Sequence, residues 1–224
     1  MGMPKQKETN VTRLTQHKPI TTMLIDLDET VYPTSNGLWP IFRERMDSYL
    51  KDVMGFDPEI IPELRERLFH TYGTTLRGLQ VEYTVDTDDF LEYVHDAPLE
   101  QYIQVDQGLI ETLHGFPQRK YIFTNASRGH AQRILKLMGL SHLFLGIIDI
   151  IDIAPWCKPM PEAYQAAMRL IGASDPERIL MVDDRVVNLL PARNLGMSVV
   201  LVGEQEPVDG IPHIATLAQL REIF

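Results

Sequence analysis

The chain has 224 residues, 44% of them apolar and 23% charged, with a formal net charge of −10. That size suits a core domain with a small insertion, and the acidic balance argues against a long nucleic acid as partner, which calls for a basic face. A single cysteine, Cys157, excludes an intramolecular disulfide framework and fits a reducing, cytoplasmic compartment.

Residues 1–19 are polar and aperiodic and lack the apolar core of a signal peptide, so they read as a flexible tail. Thr22-Met23-Leu24-Ile25 is then an apolar run of strand length that stops at Asp26-Leu27-Asp28-Glu29-Thr30. Side chains at i and i+2 of an extended segment point the same way, so Asp26 and Asp28 emerge together where the strand meets solvent. A packed core gains nothing from two repelling charges, which favours a chemical site over a solvated acidic turn. From 37 to 104 there is little strand pattern but several helical stretches, among them Ile41 to Leu50 and Ile60 to Phe69.

Tyr121-Ile122-Phe123 runs into Thr124-Asn125, after which Ser127 can cap a helix carrying Ile134, Leu135 and Met138 and closed by Gly139. The apolar stretch Leu143 to Ile153 is broken by Asp149 and Asp152 and is too short to cross a bilayer, so no membrane partner is expected. Lys158 stands before Pro159, at the start of a helix with Pro161 and Glu162 in its first turn. Ile179-Leu180-Met181-Val182 runs into Asp183-Asp184, followed by a helical pattern through Leu189, Ala192 and Leu195 that ends at Gly196. Pro191 is expected near the first turn of that helix, where its missing N–H matters least. There are no internal repeats, and the seven histidines lack the spacing of a zinc site.

Strand, polar loop and helix recur in a way that predicts an open, mostly parallel sheet, and ligands of such sheets bind beyond the carboxyl ends of the strands. Asp26, Asp28, Thr124, Asn125, Lys158, Asp183 and Asp184 should therefore converge. Asp26 and Asp183 offer hard oxygen ligands to Mg²⁺, and Lys158 with that ion makes an acidic pocket tolerable to a phosphate dianion. Thr124 and the backbone N–H groups after it, at Asn125 and Ala126, can donate to phosphate oxygens. Asp26 is the candidate nucleophile, forming an aspartyl-phosphate; Asp28 can protonate the leaving alcohol and later activate water.

DLDET at Asp26 to Thr30, FTN around Thr124, CKPMPEAY around Lys158 and VDD ending at Asp183-Asp184 resemble, in order, the four motifs of the haloacid-dehalogenase-like (HAD) hydrolases of phosphatase type. The resemblance implies an α/β fold with a Rossmann-like core at 20–36 and 105–224 and a helical cap at 37–104, inserted after the first strand. It further implies Mg²⁺ held by Asp26, the backbone carbonyl of Asp28 and Asp183, with Asp184 supporting the site. The segment His70 to Leu79 is similar to the cap of the pyrimidine 5′-nucleotidase-like subgroup, which implies nucleoside monophosphates as substrates and Arg77 as a ligand contact. Arg77 could equally pair within its own helix.

Three other readings carry distinct signatures. A haloacid dehalogenase needs no acid two residues after its nucleophile, so Asp28 counts against it. A response-regulator receiver places its acid pair first in the chain and has no cap. A catalytically silent binding protein loses a nucleophile or metal ligand, and here each such position is filled. Among phosphatases, sugar phosphates and 2-phosphoglycolate are the alternative small phosphorylated metabolites.

Overall fold

The computed structural model describes residues 18–224. The tail expectation for residues 1–19 falls almost wholly outside this range, and Lys18, its described end, reaches Asp175 and Glu177 at 3.0 and 2.9 Å.

Among the described residues, six strands form one sheet: β1 (Thr22–Ile25), β2 (Arg119–Phe123), β3 (Gly146–Ile148), β4 (Ile179–Asp183), β5 (Ser198–Val202) and β6 (His213–Ile214). Their order is β3-β2-β1-β4-β5-β6 and every pairing is parallel. β1 lies central, with Leu24 opposite Tyr121 on one side and Met181 on the other. Both faces are covered, so Met23–Ile25, Ile179–Val182 and Val199–Val202 run apolar without alternating. Met23, Ile25 and Val182 face one core and Leu24, Phe123 and Met181 the other.

Four helices lie between β1 and β2 before the crossover helix: α1 (Leu38–Asp52), α2 (Ile61–Tyr72), α3 (Thr75–Glu82) and α4 (Thr87–His95). α2 packs on α3 and α1 on α4, and Leu38, Phe42, Leu68, Leu79 and Phe90 bury their apolar faces in the larger core. The Thr74 and Asp86 side chains accept from the backbone at Arg77 and Asp89, capping α3 and α4. The crossover helix α5 (Gln107–His114) and α6 (Arg128–Leu137) follow; Ser127 caps α6 and Gly139 turns the chain away with φ +72°, both as the sequence indicates. α7 (Pro161–Leu170) begins at its proline, and the short α9 (Leu220–Ile223) closes the chain.

The helix after β4, α8, spans Val186–Asn194 and places Pro191 inside it, not in its first turn. It starts early because the Asp183 carboxylate accepts the Arg185 N–H at 3.0 Å, an anion at the helix N-terminus. A proline at that depth removes one i→i−4 bond from a short helix. Among the described residues, no helix is long and apolar enough to cross a membrane.

Candidate active site

The sheet reverses its winding between β1 and β4, and the Asp26 N–H donates to the Val182 carbonyl at 2.9 Å, so Asp26 and Asp183 leave adjacent strand ends side by side. Lys158, 1% exposed, donates to Asp26 Oδ1 at 2.6 Å and to Asp183 Oδ2 at 2.7 Å. Burial alone would lower the lysine's affinity for its proton; Asp183 and Asp26 outweigh it and raise it, so the ammonium is held charged. The Thr30 hydroxyl donates to Asp26 Oδ2 at 3.1 Å, and Glu29, at φ +60°, turns the chain so that Thr30 comes back to it.

The two acids of the pair differ in situation. Asp183 is fully buried, and its oxygens are taken by Lys158, by the Arg185 N–H and by Asn188 Nδ2 at 2.9 Å. Asp184 is half-buried and faces the cavity. One carboxylate oxygen each from Asp26, Asp183 and Asp184 lie within 4.8 Å of one another. The resemblance implies a supporting role for Asp184; its carboxylate lines the cavity beside the other two, because Asp183 ends β4 buried and the next residue turns outward. Burial, then the charges of Asp26 and Asp183, push the Asp184 carboxyl up to about 9. Burial, opposed by Lys158, pushes Asp26 up to about 7. Three crowded hard oxygens, those of Asp26 and Asp184 on carboxyls that resist ionisation, suit a small divalent cation.

Around this group, Thr124 is buried and its Oγ1 accepts the Ala126 N–H at 2.9 Å, which leaves the threonine hydroxyl hydrogen for another acceptor. Ala126's amide, expected to donate to phosphate, is thereby occupied. Asn125 makes two 2.9 Å bonds to the Lys158 backbone, one through Nδ2 and one through Oδ1. Its side chain acts through the lysine loop, although it also lines the cavity. Asp28 Oδ1 accepts from His130 Nε2 at 2.8 Å and from the Tyr32 hydroxyl. Burial pushes the Asp28 carboxyl up, but His130 and then Tyr32 hold it below its usual value.

Asp26, Asp28, Thr124, Asn125, Lys158 and Asp184 share a cavity of about 610 Å³ with the helical insertion, which adds Trp39, Phe42, Arg43, Arg65 and Phe69. Arg185 from the strand end lies 4.5 Å over the Phe69 ring and joins the same wall. Arg77 does not. It bonds Gln80 at 3.4 Å and lines a separate recess of about 280 Å³ beside Cys157, because α3 turns that face away from Asp26. Arg43, Arg65 and Arg185 escaped the sequence reading: nothing in their spacing distinguishes them from solvated helix arginines.

The profile of a haloacid dehalogenase-like hydrolase family matches residues 20–196. Phosphate metabolism protein 8 of Saccharomyces cerevisiae is 29% identical over 192 residues, covering 79% of this chain and 59% of that protein, so the chain spans about three fifths of that relative. Pyrophosphatase PpaX of Bacillus cereus is 27% identical over 180 residues, covering 79% of this chain and 80% of the relative. The crystal structure of CbbY from Rhodobacter sphaeroides in complex with phosphate superposes with a TM-score of 0.65 at 20% identity, over 90% of this chain and 96% of that one. With the family profile covering most of its length, this chain belongs to the haloacid dehalogenase-like hydrolases.

Proposed function

We propose that the protein is a Mg²⁺-dependent phosphomonoesterase acting through an aspartyl-phosphate on Asp26, with nucleoside monophosphates as its substrates. The observation that carries this reading is the pairing of Asp26 with Lys158 in a cavity that also holds Asp28, 2 positions on. Asp26 and Asp184, with Asp183 and the Asp28 carbonyl, would hold the ion, which when bound offsets phosphate charge. Lys158 orients Asp26 and meets the incoming anion, and Thr124 donates its hydroxyl hydrogen to a phosphate oxygen. Asp26 attacks phosphorus as the P–O bond to the alcohol breaks; Asp28 gives that oxygen a proton and afterwards takes one from water.

Residues 37–104 act as the cap in this reading, and the substrate is chosen on their wall. Trp39, Phe42 and Phe69 offer aromatic surface to a base, while Arg43 and Arg185, with Arg65 held by Asp47 at 2.7 Å, put cationic groups on a wall that Glu29 and Glu66 also line. The names of the yeast and bacillary relatives, one for phosphate metabolism and one a pyrophosphatase, support phosphoryl chemistry. The test is kcat/KM with Mg²⁺ over nucleoside monophosphates, sugar phosphates, 2-phosphoglycolate and pyrophosphate. Pyrimidine nucleotides are expected to lead; a lead for any non-nucleotide overturns the substrate assignment.

Cation binding also has a readout independent of turnover. Asp26 and Asp184 titrate in the fold at about 7 and about 9, above the ordinary 3.8, so the ion-free fold holds protons that the unfolded chain has released. That contribution to stability is present at acid pH and is lost as pH rises through those two values. An ion bound by the ionised oxygens acts in the opposite direction. The rise in Tm on adding Mg²⁺ is therefore expected to be small near about pH 5 and to grow toward about pH 9. A rise independent of pH would remove these two carboxyls from the ion's ligands.

A further inference from the structure

His130 lies in the first turn of α6, outside every motif that the sequence singles out. Its side chain is fully buried, with Nε2 on Asp28 Oδ1 at 2.8 Å and Nδ1 without any partner. A carboxylate oxygen accepts, so a ring proton belongs on Nε2, and Nδ1 is the atom left without a partner. A ring present for packing alone has no need of this arrangement, since a leucine fills similar volume without burying a bare nitrogen.

Two helices of the insertion fix the ring's orientation. Phe42 of α1 meets it edge-on at 5.1 Å and 86°, and His95 of α4 stacks on it at 4.3 Å and 13°. His95 is itself tied to α6: its Nδ1 lies 3.3 Å from the Ser127 hydroxyl, and its carbonyl accepts from Arg133 at 3.1 Å. Tyr32, 4% exposed, donates its hydroxyl to the same Asp28 oxygen. Asp28 Oδ1 thus faces two hydrogens, which favour its carboxylate form, and when Asp28 takes up a proton from solvent for the acid step, Oδ2 is the oxygen left to carry it.

We propose that His130 is a positioning residue which, with Tyr32, occupies Asp28 Oδ1 and confines the transferred proton to Oδ2. This rests on the phosphomonoesterase reading. As the P–O bond breaks, its electron pair stays on the leaving oxygen, the Oδ2 proton moves to that oxygen, and Asp28 is left a carboxylate still held by both donors. Because Phe42 and His95 belong to the insertion, the packing that shapes the substrate wall also sets the aim of the acid.

A misaimed acid harms a poor leaving group more than a good one, whereas general loosening of the fold harms both alike. The experiment compares kcat/KM for phenyl phosphate and for p-nitrophenyl phosphate, whose phenol is the more acidic; kcat/KM ends at phosphoryl transfer and is blind to the later water step. His130→Leu is expected to lose about tenfold or more beyond its loss on the nitrophenyl ester when phenyl phosphate is the substrate. His130→Gln, whose amide can donate to Asp28, recovers most of that difference. Tyr32→Phe deletes one hydroxyl and shows the same bias, so the test stands even if His130→Leu does not fold. Equal losses on the two esters overturn the proposal while leaving the phosphatase reading intact. A wild-type chain that hydrolyses neither ester with Mg²⁺ refutes that reading and the proposal with it.

Discussion

Asp26→Asn is expected to lower phosphate release by a factor on the order of 10⁴–10⁶ and to leave the fold standing, because it removes the attacking atom and little else. The amide keeps the shape of the acid: its oxygen can accept from Lys158 and its nitrogen can donate to Thr30 Oγ1, replacing bonds now at 2.6 and 3.1 Å. Stability gives an independent check with a definite sign. Asp26 sits at about 7 in the fold against an ordinary 3.8, so the wild type without an ion loses stability as pH climbs through about 7. The asparagine has no proton to lose there. Ion-free Asp26→Asn should therefore match or exceed the wild type in Tm above that pH while being inert in turnover. Substantial retained turnover in the pure variant would dismiss Asp26 as nucleophile.

Much of this arrangement was legible because it is built from local signals. DLDET follows directly on a strand-length apolar run, and an acid two residues beyond Asp26 reads as a pair without knowledge of the fold. Ser127 through its side-chain oxygen and Gly139 through its positive φ bracket α6, and Pro161 announces α7. The parallel order then brings Asp26, Thr124, Lys158 and Asp183 to one edge, as strand ends in such a sheet must be.

What could not be read is what depends on side-chain direction across long stretches of chain. His130 reaches Asp28 over 102 positions, and nothing in RGHAQR distinguishes it from a surface histidine. Which of Asp183 and Asp184 points outward depends on where β4 stops, a matter of one residue. The role of Arg77 rests on a local resemblance, and the face that α3 presents, which sequence spacing does not fix, sends it into another recess. Asn125 lines the cavity as expected, yet its amide spends both ends on the Lys158 backbone, a pairing between two loops that no spacing encodes.

The lysine so held is where charge balance and catalysis meet, and Lys158→Met is expected to damage both. Phosphate-monoester hydrolysis can require acceleration of up to ~10²¹, about 28 kcal/mol of barrier, of which positioning supplies about 7–11. Electrostatic stabilisation must account for much of the rest, so loss of the buried cation that touches Asp26 should slow turnover by a factor on the order of 10³ or more. The same substitution leaves Asp26 and Asp183 facing each other without the ammonium at 2.6 and 2.7 Å, and breaking a buried pair typically costs about 3–5 kcal/mol. The fold has an escape that the rate does not: Asp26 can keep its proton. Without Lys158 its carboxyl climbs above about 7, so the variant's Tm deficit should be least in acid and widen as pH rises past that value. Added Mg²⁺ should narrow the deficit at alkaline pH, by returning a cation to the same oxygens, without restoring turnover. A deficit that stays constant across pH would mean that Lys158 supports the fold by packing rather than by holding two carboxylates together, and wild-type turnover in Lys158→Met would take it out of the reaction.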